Sequence, residues 1–502
     1  MSDYLLYAVA LPVGFIGAYY LWTKLRPVYV RCICYVDGRV MILLLALRLC
    51  RPKYRLKVPE VRFPLNLINF VDEVLRLVGV RAFSVKRAYF ISKAKRIVAN
   101  TDKRVFGDQE ELVRGVEAFV NGVSEDVMSA SGIVLLNGLL ERLLSTREIA
   151  TNYIQEHADE VLAAELKQPV IISGLPRTGS TMLYNLMACD PASRAPRFFE
   201  MSQMAPPVPP CPRDQQDTDP RIAKVLTAAC VRACVRHPSV MVILMMMLQV
   251  MERFDEVEKL YPSMFTEAGK SHRSHPSELE EELLILFQTM VLQLHVPLPV
   301  TDEFRQWFES CENKAPAYRY MRVFLQMMNS CWQPESHWVL KAPMHSYNMD
   351  EVMRQFPDAR IVFTHRDPLN VVPSWATLIE SYLGWSFRPY ALDRIKFGRY
   401  IVDSLKLMYD RVADFSRRTP SERYFNVNYE VFIKDPVAMV ERIYAHFGME
   451  VTEQFRQNMR DWIANNRQGK WGRAPYSLAN YNLTKEQVLQ EFAPYVQQYL
   501  QS

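Results

Sequence analysis

No C-x-x-C pair occurs in this chain, and its nine cysteines, an odd number, are scattered from Cys32 to Cys331. Cys230 and Cys234 lie four apart, on one face of any helix through them, but no histidine cluster stands beside them at ligand spacing. The pattern excludes a disulfide framework and a zinc site and leaves buried or free thiols, so no metal is expected. Low-complexity tracts and internal repeats are also absent, which with 49% hydrophobic residues excludes wholesale disorder. Charge of one sign is scarce too. A net charge of +5 over 502 residues offers no basic face for nucleic acid. The local basic clusters, Lys24 to Arg31 and Arg48 to Lys57, suit a membrane surface instead. This length accommodates two or three domains, or one large domain with insertions.

Long uncharged runs are few, and one is at the start. Tyr4 to Trp22 is nineteen residues without a charge, about the span of a bilayer, with aromatic residues at both ends. A cleaved signal peptide would carry positive charge ahead of its apolar stretch, and only Asp3 precedes this one. The reading is an uncleaved single-pass anchor within residues 1–30. Lys24, Arg26 and Arg31 follow it, which places the bulk of the chain on the cytoplasmic side. Val40 to Leu47 is too short to span and reads as interfacial or packed.

From 31 to 165 glycines are few and apolar residues recur at i, i+3, i+4 and i+7, so this region reads as helical. The pattern then changes. "QPVIISG", Gln168 to Gly174, is a β-branched apolar run ending in glycine, a buried parallel strand. Further strands are expected at His337 to Pro343, Ala359 to Pro368 and Tyr424 to Glu430, alternating with helices. Between 202 and 335 the chain reads as a helical, methionine-rich insertion, its methionines either core filling or an adaptable wall for an apolar ligand. The fold class is therefore α/β: a P-loop-like parallel sheet flanked by helices, with a large helical insertion and a helical N-terminal region. In such sheets ligands bind at the carboxyl ends of the strands. Pro176-Arg177 and His365-Arg366 both fall there.

The loop after the first strand, "SGLPRTGSTMLYNL" from Ser173, has the two glycines of a phosphate-binding loop, Gly174 and Gly179, but Ser180 stands where that motif has its lysine. Together with "WVLKAPMHSYNMDEVMRQFPDARIVFTHRDPLNVVPS" and "VNYEVFIKDPVAMVERIYAHFGM", it resembles the sulfotransferase superfamily, in the branch with Pro-Arg in the first loop and more distantly the tyrosylprotein sulfotransferases. The resemblance covers residues 165 to 500, and a sulfotransferase domain is expected over 166–502. It implies the donor 3′-phosphoadenosine 5′-phosphosulfate, PAPS, with no metal. Carried over by position, Arg177, Thr178, Gly179, Ser180 and Thr181 cradle the 5′-phosphosulfate, Arg366 and Ser374 hold the 3′-phosphate, and Lys341 meets charge on the leaving group. Glu200 stands where the tyrosylprotein branch has its general base; the competing reading makes it a surface carboxylate or a partner for Arg197. His345 and His365 are alternative bases, His345 flanking the Lys341 loop and His365 packing at a strand end. Gly469 and Lys470, in "RQGKWGRAPYSL", match the closing segment over the nucleotide.

The acceptor is expected to carry a hydroxyl. A lipid-like alcohol or phenol suits the anchor and the methionine-rich helices; a protein tyrosine or glycan is the competitor, and Asn482-Leu483-Thr484 is a glycosylation sequon. A kinase fits poorly. "HRDPLN" mimics a kinase catalytic loop, but Val372 occupies its asparagine position and no D-F-G occurs.

Overall fold

The structure, a computed structural model, describes residues 32–36, 39–43, 65–77, 79–202, 205, 207, 278–290, 300–310, 314–383, 386–388, 391–466 and 476–501. Strands β1 (Cys32–Val36) and β2 (Arg39–Leu43) pair antiparallel, Cys32 opposite Leu43. This hairpin departs from the all-helical reading of 31–165. The sequence accounts for it in retrospect: Asp37-Gly38 stands between two runs rich in β-branched and aromatic residues, the strongest short-range hairpin signal. Helices then follow as expected: α1 (Leu65–Leu77), α2 (Arg87–Ala99), α3 (Glu110–Gly122) and the 27-residue α4 (Ala130–Glu156). The Ser129 hydroxyl accepts from the Gly132 N–H and caps α4.

The expected membrane anchor and its cytoplasmic-facing placement are corrected. No helix among the described residues is long and apolar enough to cross a membrane. Helix α4 has the length, but Glu141, Arg142, Arg147 and Glu148 interrupt it with charge, which a spanning helix excludes. Tyr4 to Trp22 itself lies outside the described residues, as do Cys230, Cys234 and most of the methionine-rich insertion.

The sheet begins with β3 (Val170–Gly174), which runs into a loop and α5 (Ser180–Met187); α6 (Phe198–Ser202) follows. After the insertion come α7 (Leu283–Phe287), α8 (Ala315–Cys331), β4 (Val339–Lys341), α9 (Met349–Gln355), β5 (Arg360–His365), α10 (Pro368–Leu383), α11 (Arg394–Arg418) and β6 (Tyr424–Asn428). Helices α12 (Pro436–His446), α13 (Glu453–Asn465), α14 (Lys485–Glu491) and α15 (Ala493–Tyr499) complete the described chain. All four expected strands form, in the order β4-β3-β5-β6 and all parallel. Because β3 lies between β4 and β5, the chain leaves it towards one edge and later returns on the other side. That reversal opens a crevice at the carboxyl ends of the central strands.

Burial explains why these runs are strands. Every residue of β3 is buried, and its side chains alternate between two cores. Val170 and Ile172 pack with Leu183, Tyr184 and Met187 of α5 and with Ile443 and Tyr444 of α12. Ile171 faces the larger core, which runs from Val85 through α4, α8 and α11 to Tyr499. The N-terminal helices thus share one core with the sheet. Further bonds tie them in: Ser129 N–H donates to the Ser386 carbonyl (2.8 Å), and Arg388 reaches Asp72 (3.3 Å).

Two buried histidines give this fold a pH dependence. His365 stacks on Tyr499 at 4.0 Å and meets Asn426 Oδ1 at 2.9 Å; burial pushes its pKa down from 6.5 to about 4. His337, beside Ser336 and Tyr444, is likewise lowered to about 4, by burial first and then by the charge of Arg360. Both are neutral when folded and take up protons more readily when unfolded. Their contribution is therefore present above pH 6.5 and lost as pH falls towards 4, at most about 3 kcal/mol for each ring. Urea unfolding at a series of pH values should show the midpoint dropping between pH 6.5 and 4. A midpoint constant across that window contradicts the neutral, buried assignment.

Candidate active site

The loop between β3 and α5 is shaped by its glycines. Gly174 has φ +106°, and a Cβ there would stand 2.7 Å from the Thr364 carbonyl oxygen on β5. Gly179 has φ +85°, and its Cβ would stand 2.8 Å from the Tyr429 ring. Neither position has room for a side chain, so the loop lies directly against the sheet. Arg177 also adopts the left-handed region, φ +65°. Thr178 is turned inward: its hydroxyl donates to the Leu175 carbonyl at 2.7 Å and meets Thr364 Oγ1 at 2.6 Å. Its side chain pins the loop. Gly179, Ser180 and Thr181 stand at the N-terminus of the eight-residue α5, where backbone N–H groups and the helix dipole favour an anion.

The cations gather around this loop. Arg366, just past β5, donates from Nη1 to the Arg177 carbonyl at 3.1 Å, and its guanidinium lies 4.1 Å from the Tyr429 ring centre. Its backbone is clamped by Tyr495 of α15: the Arg366 N–H donates to the Tyr495 hydroxyl at 3.0 Å, which donates onward to the Arg366 carbonyl at 3.3 Å. Arg177 Nε donates to Ser374 Oγ at 3.1 Å. The structure therefore brings Arg177, Arg366 and Ser374 together, joining the first loop to the start of α10. Arg366 Nε is buried and has no hydrogen-bond partner among the described residues, a costly state for a guanidinium N–H without an acceptor. Lys341, at the end of β4, reaches Thr181 Oγ1 at 3.4 Å from the other side of the loop.

The candidate bases are each engaged in buried contacts. Glu200, on α6, is 3% exposed and both its oxygens are engaged: Oε1 accepts from Arg194 Nη2 at 2.9 Å, and Oε2 from the Arg197 N–H at 2.9 Å. Arg194 is itself sandwiched by Trp332 and Trp338, 4.7 and 4.5 Å from the ring centres. The pair holds α6 against α8; Glu200 is a buried carboxylate rather than a surface one, its ion-pair partner is Arg194, and from Arg197 it takes the backbone N–H. His345 is wholly buried, donating from Nε2 to Glu282 Oε1 at 2.6 Å and bonded at Nδ1 to the Tyr318 hydroxyl at 3.0 Å. It departs from the expected substrate-facing position because this buried chain of hydrogen bonds consumes both ring nitrogens. His365 packs at its strand end as expected. Gly469 and Lys470 lie outside the described residues.

Sequence reasoning missed the glutamates that precede α7. Glu282 accepts from the Lys341 N–H at 2.8 Å as well as from His345, and Glu281 pairs with the Lys341 ammonium. The available signal was the run Glu280-Glu281-Glu282 directly ahead of an apolar helix. Tyr184, on α5, lies among these groups. Its phenol is pushed well above its usual range by burial first and then by Glu282, Glu280, Glu200 and Glu281. No group of metal-ligating side chains occurs among the described residues.

At the switch point of the parallel sheet stand a glycine-bounded loop, a helix N-terminus and Arg177, Arg366 and Lys341, a setting that favours an anion. Comparisons with known proteins bear on the fold and the family. The solved sulfotransferases STF9 from Mycobacterium avium and STF1 from Mycobacterium tuberculosis H37Rv superpose with a TM-score of 0.64 each. They are 24% and 23% identical, over 84% and 82% of this chain and 98% and 100% of theirs, which shows the shared fold. The omega-hydroxy-beta-dihydromenaquinone-9 sulfotransferases Stf3 of Mycobacterium bovis and Mycobacterium tuberculosis are 26% identical over 152 residues, 30% of this chain. The matched segment spans 36% of the length of those relatives. A family model described as the sulfotransferase family matches residues 169–453, more than half of the chain and all four strands of the parallel sheet. The chain belongs to the sulfotransferase family.

Proposed function

We propose that this protein is an enzyme that transfers the sulfuryl group of PAPS to the hydroxyl of a hydrophobic, lipid-like acceptor. Family membership supports the sulfuryl transfer. The observation that supports this donor is the convergence of Arg177, Arg366 and Ser374 beside a helix N-terminus. It supplies cations for one phosphate, while the loop and Lys341 supply donors for another. The unpartnered Nε of Arg366 fits this assignment, because a phosphate oxygen would satisfy it. In this reading the N–H groups from Gly179 to Thr181 hold the sulfuryl-bearing phosphate. Arg366 and Ser374 hold the 3′-phosphate, and the Lys341 ammonium stabilises charge on the departing oxygen. The residues present therefore suit PAPS, which brings to the site the sulfuryl group to be transferred.

A lipid-like acceptor is favoured by the relatives whose name specifies a hydroxylated menaquinone derivative. The same shared ancestry gives no support to a protein, glycan or kinase substrate. The test has two arms. Thermal unfolding with 3′-phosphoadenosine 5′-phosphate, PAP, or with ATP should show protection by PAP; protection by ATP alone overturns the donor. Incubation with PAPS labelled in sulfur and a membrane extract should place label in the lipid fraction. Label confined to protein overturns the acceptor class.

A further inference from the structure

Four glutamates, Glu200, Glu280, Glu281 and Glu282, stand around Tyr184 beside the loop, and they differ in what they can do. Glu200 is held by Arg194 and by the Arg197 N–H, its side chain 4% exposed. Glu282 has no exposure and bonds His345 and the Lys341 N–H. Glu281 is 19% exposed, and the partner that holds it is the Lys341 ammonium, which is 2% exposed and also reaches Thr181 at the head of α5. Glu280 is 8% exposed and accepts from the Glu281 N–H at 3.0 Å, so of the four Glu281 combines the most access to solvent with a position next to the loop. The charged and titratable groups around it are Lys341, Tyr184, Glu280 and Glu282.

A carboxylate paired to a lysine inside an anion site is a competitor for the anion. The ammonium cannot fully serve both: an arriving sulfuryl-bearing phosphate draws Lys341 towards itself and leaves Glu281 short of its counter-charge. A carboxylate that has lost its cation is a better proton acceptor than one still paired.

Resting on the reading of the site as a PAPS-dependent sulfotransferase, we propose that Glu281 is the general base, held by Lys341 until the donor binds. Donor binding transfers the Lys341 ammonium to the donor and frees the Glu281 carboxylate. That carboxylate takes the proton of the acceptor hydroxyl as the acceptor oxygen forms its bond to sulfur. The bond from sulfur to the phosphate oxygen breaks, and the electron pair leaves with PAP, neutralised by Lys341. One proton moves to Glu281 and one sulfuryl group moves to the acceptor, so nothing else is consumed. The donor must bind first.

The variant Glu281→Gln tests this because its two effects have opposite signs. Removing a carboxylate from an anion site should tighten PAP binding three- to tenfold, measured by calorimetry. Losing the base should lower kcat about 10²- to 10⁴-fold, read by release of PAP from PAPS in the presence of the acceptor fraction. Glu281→Asp should recover part of kcat. A structural role would weaken both binding and turnover through misfolding. Unchanged or weakened PAP affinity overturns the lysine latch, and turnover within threefold of the parent overturns the base. Failure of the wider reading looks different, since the unaltered protein would then neither bind PAP nor transfer label.

Discussion

Arg366→Ala is expected to weaken PAP binding by one to two orders of magnitude while leaving the fold intact. The guanidinium is pre-positioned from three sides: Tyr495 clamps its backbone, Tyr429 lies beneath its plane, and Nη1 is anchored on the Arg177 carbonyl. What remains is Nε, buried and without an acceptor among the described residues. A phosphate oxygen there completes a charge-assisted bond whose geometry has already been set, so little side-chain freedom is lost on binding. One such bond at about 1.5–3 kcal/mol amounts to a loss of about 10- to 10²-fold when the side chain is removed. Arg366→Lys should not restore affinity. An ammonium places one point charge where a planar fork bridged the Arg177 carbonyl and the ligand. Calorimetric titration with PAP measures the effect, and an affinity within threefold of the parent would remove Arg366 from the donor site.

Glu200→Ala should act on stability, at about 3–5 kcal/mol. Glu200 and Arg194 form a buried pair, 4% and 5% exposed, and Arg194 is enclosed by two tryptophans. Truncating the carboxylate leaves that guanidinium buried without its counter-charge, the costly way to disrupt such a pair. Removing the charge as well, in Glu200→Ala combined with Arg194→Met, should recover a measurable part of the loss, because the tryptophan sandwich can accept an apolar chain. Urea unfolding of the two single variants and the double variant gives the coupling. A single-variant loss below about 1 kcal/mol contradicts a structural pair. If Glu200 were the proton acceptor the pattern would reverse, with stability unaltered and turnover lost.

The contrast between Glu200 and Glu281 shows where sequence reading runs out. All four parallel strands were legible: β3, β4 and β5 are short apolar runs that the sheet buries, and edge strand β6, with Val427 inward and Asn426 exposed, alternates. The placement of Arg177 and Arg366 was legible for a related reason, since both fall at the carboxyl ends of strands, whereas Ser374, inside α10, and Lys341 were named through the family resemblance. Side-chain engagement was not legible. Nothing in "APRFFEM" indicates that Arg194, six residues away and sandwiched by tryptophans on another part of the chain, consumes the carboxylate of Glu200. Nor does "KAPMHSY" show that His345 turns inward to Glu282, 63 residues earlier. The glutamates ahead of α7 reach the site from the insertion, and their acidic run reads by itself as the polar start of a helix. The β1–β2 hairpin was missed because a helical period over the following hundred residues outweighed the Asp-Gly signal within twelve.

The clamp of Tyr495 on Arg366 carries a consequence for how the protein is made. The two residues are 129 apart in sequence, and the stack of His365 on Tyr499 spans a comparable distance. Every other element of the donor crevice has left the ribosome long before these tyrosines are translated. Until then the Arg366 N–H and the His365 ring face water instead of protein, and the crevice lacks the wall that orients its arginine. A nascent chain arrested before residue 493 should therefore have its parallel sheet but no grip on PAP, so donor binding reports the emergence of α15.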